Sequence, residues 1–138
     1  MLLTASKIHD GISWLPEGSV IETADDGTII AIHESGKQDE ATHYEGILAP
    51  GFVNAHCHLE LSHLKGVIPE HTGLVPFLQQ VITKRSGFTD EQKVTARQNA
   101  FAQMLENGIV ALGDICNTAD VVDMRATGKM HFHNFVEV

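Results

Sequence analysis

A chain of 138 residues that is 43% apolar and 20% charged has enough apolar material for a buried core, and wholesale disorder is not expected. The formal net charge of -9 comes with only nine scattered Lys and Arg, adjacent only at Lys84-Arg85, which argues against a nucleic-acid or anionic-membrane surface. No apolar run approaches the ~20 residues that cross a bilayer, Met1-Leu-Leu-Thr-Ala-Ser-Lys7 lacks the order of a signal peptide, and two distant cysteines, Cys57 and Cys116, suit a reducing cytoplasm better than a disulfide framework.

Residues 1–48 read as β structure. Val20 to Ala24 and Thr28 to Ile32 are short β-rich runs around Asp25-Asp26-Gly27, the signature of a tight hairpin. Ser35 to Thr42 is polar and reads as a loop. The segment after Pro50-Gly51 reads as a short strand buried on both faces, as in a parallel sheet. The apolar period then lengthens: Leu74, Phe77, Leu78, Val81 and Ile82 line one face of a helix, with Pro76 tolerated in its first turn. Ser86-Gly87 ends it. Thr89 and Gln92 have the spacing of a capping box; Val94, Phe101, Met104 and Leu105 supply the apolar side of that second helix, and Gly108 is placed to stop it. Ile109 to Leu112 reads as a second buried strand, followed by Gly113-Asp114. Thr118 to Ala126 reads as a short helix capped by Thr118 or Asp120, and Phe132 to Val138 as a third strand. Alternating strand and helix after residue 48 predicts an α/β parallel sheet with right-handed crossovers.

Among nine histidines, the informative pair lies in Pro50-Gly-Phe-Val-Asn-Ala-His-Cys-His-Leu-Glu-Leu-Ser-His63. His56 and His58 are two apart at the C-terminal end of a predicted strand, so their side chains point the same way. Two neutral imidazoles can converge on one zinc or iron ion, and the C-terminal ends of parallel strands are where α/β folds bind ligands. A bare His-x-His is more often chance; the buried strand leading into it is what raises its weight.

Pro50-Gly-Phe-Val-Asn-Ala-His-Cys-His58 resembles the first barrel strand of the amidohydrolase superfamily, whose fold is a (β/α)8 barrel with a small β-sandwich built from both chain ends. Asn54 with Leu59-Glu-Leu-Ser62 is similar to the deaminase and chlorohydrolase branch, which includes guanine, S-adenosylhomocysteine and aminofutalosine deaminases; relatives resembling dihydroorotase and hydantoinase usually carry Asp at that position. Residues 1–48 resemble the N-terminal sandwich strands. The resemblance implies a β-sandwich portion over 1–48 and a partial TIM barrel, its first three strands, over 49–138. It implies that His56 and His58 ligate a divalent metal, zinc first and iron as the alternative. The metal would activate water against a C–NH2 carbon of a heterocycle or, less favoured, a C–Cl carbon. The family's later His, Glu and Asp positions have no counterpart here, and a TIM barrel takes ~250 residues, so the expectation is an N-terminal part whose site is incomplete.

Other residues divide between chemistry and architecture. Glu60 and Ser62 either meet substrate or cap the loop, and Asp114 either lines the site mouth or, more commonly for such a residue, caps a helix or turn. His63 reads as solvated or packed. His131 and His133 read as packing or buried hydrogen bonding near the start of the third strand, and Glu137, of the same parity, as a substrate contact. Cys57 faces away from its neighbours and reads as a small buried residue. Trp14 and Tyr44 read as sandwich core or rim. The expected partners are a small-molecule substrate and further copies of the chain, since a three-strand sheet leaves an unpaired edge; no nucleic acid or membrane is expected. Two rival readings are a non-catalytic α/β fragment that packs with another chain, and a small binding protein with a weak metal site.

Overall fold

The computed structural model describes residues 1–137. The last residue of the third expected strand, Val138, lies outside the described residues. The chain divides into two compact units, Met1–Pro50 and the residues from Gly51 onward.

The first unit is one mixed sheet of order β3-β2-β1-β4, built from β1 (Leu2–Ile8), β2 (Val20–Thr23), β3 (Ile29–His33) and β4 (Thr42–Leu48). β2 and β3 form the expected antiparallel hairpin. Its turn closes because Asp26 Oδ1 accepts the Thr28 N–H at 2.9 Å while Gly27 takes φ 87°, a conformation that suits glycine. A single turn of 310 helix, Gln38–Glu40, interrupts the expected loop. Val20, Ala5 and Ile8 are buried, but Ile29, Ile30 and Ile47 are exposed, so this unit is a single layer among the described residues. Trp14 and Tyr44 lie at its exposed surface.

The second unit carries a parallel sheet of order β5-β6-β7, from β5 (Phe52–Cys57), β6 (Ile109–Cys116) and β7 (His131–Val136). Helices α1 (Leu74–Lys84) and α2 (Asp90–Glu106) connect β5 to β6, and α3 (Val122–Ala126) connects β6 to β7. The capping box forms as expected: the Thr89 side chain accepts from Gln92 N–H, and Gln92 reaches back to the Thr89 N–H. Gly108 follows the end of α2 at φ 75°. The core sits between one face of the sheet and α2, where Leu59, Phe101, Leu112, Val121 and Met130 are buried together; Phe101 stacks on Phe132 with centroids 6.0 Å apart.

Several expectations need correction. β5 is not buried on both faces: Phe52 and Val53, which point to opposite faces of this edge strand, are 64% and 66% exposed. α1 forms where the periodicity puts it, yet none of its residues is buried. Val94 is exposed although, seven residues before Phe101, it lies on the same face of α2 as that core residue. β6 runs four residues further than expected, which places Asp114 inside the strand. α3 starts after Val121 with no side-chain cap; Asp120 instead pairs with the buried Arg97 at 2.8 Å.

Candidate metal site

A register shift between Asn54 and Cys57 shapes the end of β5. Asn54 pairs with Leu112 and Cys57 with Asp114, so β5 spends one more residue than β6 over this stretch. Such bulges re-aim side chains at strand ends. Here the bulge sets Cys57 on the helix-covered face, where its thiol lies 3.6 Å from Asp114 Oδ1, and parity sends His56 and His58 to the other face. Their ring centroids are 5.5 Å apart. Gly113 lies beside the bulge, where a Cβ would sit 2.4 Å from the Ala55 carbonyl oxygen, so only glycine lets β6 approach so closely.

The two imidazoles sit side by side at the C-terminal end of the strand, as the sequence spacing predicts. Their donor chemistry fits two positions of a zinc shell, for which a catalytic site needs a third protein ligand. No cluster of three or more metal-ligating side chains exists among the described residues. A cavity of about 790 Å3 opens beside His58 and is lined mainly by apolar side chains, among them Leu61, Ile68, Leu74, Phe77 and Val81. Ser62 also lines it, with its hydroxyl donating to the Leu59 carbonyl at 2.7 Å.

The carboxylates singled out by sequence are held in architecture. Asp114 has no exposed surface. Its Oδ1 accepts the Leu59 N–H at 2.9 Å and its Oδ2 accepts the Asn134 amide at 3.2 Å, so the turn-capping alternative describes its contacts. Burial pushes its carboxyl above the ordinary 3.8, against the opposing pull of the Leu59 N–H. Burial, reinforced by the Asp114 charge, also drives the Cys57 thiol up to about 12. Glu60 is 4% exposed and binds the backbone of Asn117 and Thr118 across the sheet end. Its Oε1 lies 3.5 Å from the Arg85 guanidinium, near enough for ion pairing but without hydrogen-bond geometry.

His63 is buried, edge-on to Phe88, with Nε2 3.2 Å from the Arg85 carbonyl. His131 and His133 are exposed, contrary to the packing role expected for them. They share a sheet face with Val53 and Ala111, which the helices do not cover, and the His133 and Phe135 rings pack with centroids 4.6 Å apart. Glu137 lies just past β7 and is exposed; its backbone N–H donates to the Cys116 carbonyl at 3.1 Å. The sequence reading gave no site role to Asn134 or Arg85 and took Thr118 only as a helix cap. Parity opposite to His133 would have put Asn134 on the Asp114 face, but nothing in the sequence announces Thr118 or Arg85 as partners of Glu60.

A parallel β/α sheet with paired imidazoles at a strand's C-terminal end defines the chain as an α/β protein of the kind that binds ligands at the top of its sheet. No family model matches the chain. It is 30% identical over 98 residues to a 5-methylthioadenosine/S-adenosylhomocysteine deaminase of Natronomonas pharaonis, covering 70% of this chain and 22% of that protein. It is 26% identical to the enzyme of the same description in Haloarcula marismortui, over 91% of this chain and 32% of that protein. The chain therefore spans between about a fifth and a third of the length of the curated relatives it matches.

Among solved structures, Helicobacter pylori aminofutalosine deaminase in complex with methylthio-coformycin superposes with a TM-score of 0.81 at 23% identity, over 99% of this chain and 35% of that one. An adenosine deaminase of Xanthomonas campestris with bound zinc gives a TM-score of 0.68 at 21% identity, over 91% of this chain and 31% of that one. At these identities the likeness is one of fold. The homologues of this chain are deaminases of the amidohydrolase superfamily.

Proposed function

We propose that this chain carries the first metal ligands of a hydrolase that deaminates an aminated purine-like ring, exchanging C–NH2 for C=O with water consumed and ammonia released. The observation that carries this reading is the His56–His58 pair, with centroids 5.5 Å apart, beside a cavity large enough for a nucleoside-sized molecule. His56 and His58 would hold a divalent ion, zinc first and iron as the alternative, and the ion would supply Lewis-acid activation of a water. The relatives named as methylthioadenosine/S-adenosylhomocysteine deaminases and the zinc-bound adenosine deaminase support that choice of substrate and metal.

Within the reading, the apolar wall of Leu61, Phe77 and Val81 receives the non-reacting part of the substrate and excludes water. Glu137, exposed past β7, is a candidate substrate contact. Glu60 and Asp114, candidate site residues from sequence, fit a supporting role better, since both Asp114 oxygens and Glu60 Oε2 accept hydrogen bonds from the chain, while Glu60 Oε1 faces the Arg85 guanidinium at 3.5 Å. The two units are read as part of a β-sandwich and as the opening strands of a (β/α)8 barrel. The cytoplasm is the compartment proposed.

The deciding experiment is metal analysis together with ammonia release from aminated purine nucleosides, using the complete protein that contains this chain. Expected are about one divalent ion per chain and loss of both metal and turnover in His56→Ala/His58→Ala. Equal metal content in parent and variant would overturn the ligand assignment. Cleavage of cyclic amides or of C–Cl bonds instead would move the activity to another branch. The exposed apolar residues Phe52, Val53, Phe135 and Val136 also support self-association of the isolated 138-residue chain. Light scattering at tens of micromolar tests this, and a stable monomer would contradict it.

A further inference from the structure

We propose that Asp114 and Glu60 form a reciprocal carboxylate latch that positions the His56–His58 pair, an inference that rests on the metal-site reading above. The segments that leave β5 and β6 at their C-terminal ends each bind a carboxylate from the other. Asp114, on β6, accepts the N–H of Leu59, the first residue past His58, at 2.9 Å. Glu60, on the turn after β5, accepts the N–H groups of Asn117 and Thr118, both at 3.1 Å, and the Thr118 hydroxyl at 2.8 Å. Both carboxylates are buried, so these bonds compete with no solvent.

The latch acts on His58 through its two neighbours. Asp114 Oδ1 accepts from the Cys57 thiol at 3.6 Å and from the Leu59 N–H, the residues immediately before and after the histidine. The His58 backbone, at φ -125° and ψ 78°, lies outside the helical and strand basins and has no cap of its own. A rotation there breaks one of the two bonds to the same oxygen. Asn134 of β7 holds the other Asp114 oxygen at 3.2 Å, and Arg85, just past α1, lies 3.5 Å from Glu60. Four segments of the second unit thus converge on one turn. The latch thus acts on the imidazoles through the backbone that carries them rather than through a bond to either ring; partners beyond the ligands themselves commonly tune metal affinity.

The test is cobalt(II) titration of the complete protein that contains this chain, followed by visible absorption, together with hydrogen exchange of the Leu59 amide. Asp114→Ala and Glu60→Ala are expected to raise the cobalt dissociation constant by about tenfold or more. Asp114→Asn, which keeps one acceptor for Leu59, is expected to regain most of the loss. Asp114→Ala should also speed exchange at Leu59. Phe101→Leu, a core change outside the latch, should lower the melting temperature without moving the cobalt constant. Parent-like cobalt binding in folded Asp114→Ala, or equal weakening by Phe101→Leu, would overturn the proposal. Should Asp114→Ala not fold, Asn134→Ala and Thr118→Val read the same bonds from the donor side. Cobalt binding that survives His56→Ala/His58→Ala defeats the metal reading instead. Unchanged Leu59 exchange in Asp114→Ala then still defeats the latch by itself.

Discussion

Both units use aspartate to bind backbone N–H groups, and they arrive at opposite electrostatics. In the first unit, Asp10 accepts from Ile12 and Ser13 and Asp26 accepts from Thr28, all at exposed turns. Those hydrogen bonds hold both carboxyls below their ordinary value. In the second unit, Asp114 accepts a backbone N–H at a similar 2.9 Å, yet its carboxyl is pushed up. The difference is solvent. An exposed carboxylate keeps its hydration and adds hydrogen bonds to it, whereas a buried one surrenders hydration that two or three bonds only partly replace. A buried carboxylate is therefore retained where its directional bonds fix a geometry, and here that geometry is the end of the strand carrying the two imidazoles.

The comparison is broken most directly by emptying the core beneath the site. Leu112 is 2% exposed and packs in the cluster with Phe101 and Leu59. Leu112→Ala should destabilise the second unit by about 2–5 kcal/mol through lost burial and a residual cavity. Denaturant unfolding followed at second-unit amides measures it, and a loss under about 1 kcal/mol would show that this core is too loose to set the geometry of the latch. A smaller effect is expected at the start of α2. Thr89→Ala removes both the side-chain acceptor and the reciprocal box with Gln92, which should cost about 1 kcal/mol. Thr89→Ser should recover it, and equal losses in the two variants would discount the cap.

How much of this was legible depended on the range of the interaction. The hairpin at Asp26-Gly27, the capping box at Thr89 and the stop at Gly108 are local signals that stand where the spacing puts them, and the alternation of strand and helix announced the parallel pairing. Burial was read less well. Phe52, Val53 and the apolar face of α1 carry the pattern of buried elements but are exposed, because pattern states which face is meant for cover and not what covers it. The same gap misplaced His131 and His133, which face the uncovered side of the sheet. The closeness of His56 and His58 was legible from their spacing, but not the register shift that shapes the end of β5 beneath them. The bonds from Glu60 to Asn117 and Thr118 span nearly sixty residues of sequence and leave no periodic trace.

The smallest effect sharpens the contrast between exposed and buried carboxylates by its sign. Asp10 and Asp26 have folded-state values lowered from 3.8, so the stability they contribute is present above that value and is lost as pH falls through their lower folded values. Glu22, lowered from 4.5 by His33 and then Lys37, behaves the same way in the same unit. Asp114 runs in reverse. Its value is raised from 3.8, so its contribution is full below 3.8 and is lost as pH rises through the folded value, where the carboxylate must ionise while buried. Acidifying the metal-free chain from pH 7 should therefore relieve the second unit first, and weaken the first unit only once pH drops to about 4 and below. Amide exchange resolved by unit, read across that range, separates the two. Asp26→Asn should flatten the acid limb of the first unit, and Asp114→Asn should remove the rise in the second. If protection in the second unit falls monotonically from pH 7 downward and Asp114→Asn leaves the curve unchanged, solvent exposure is not what sets the two aspartates apart.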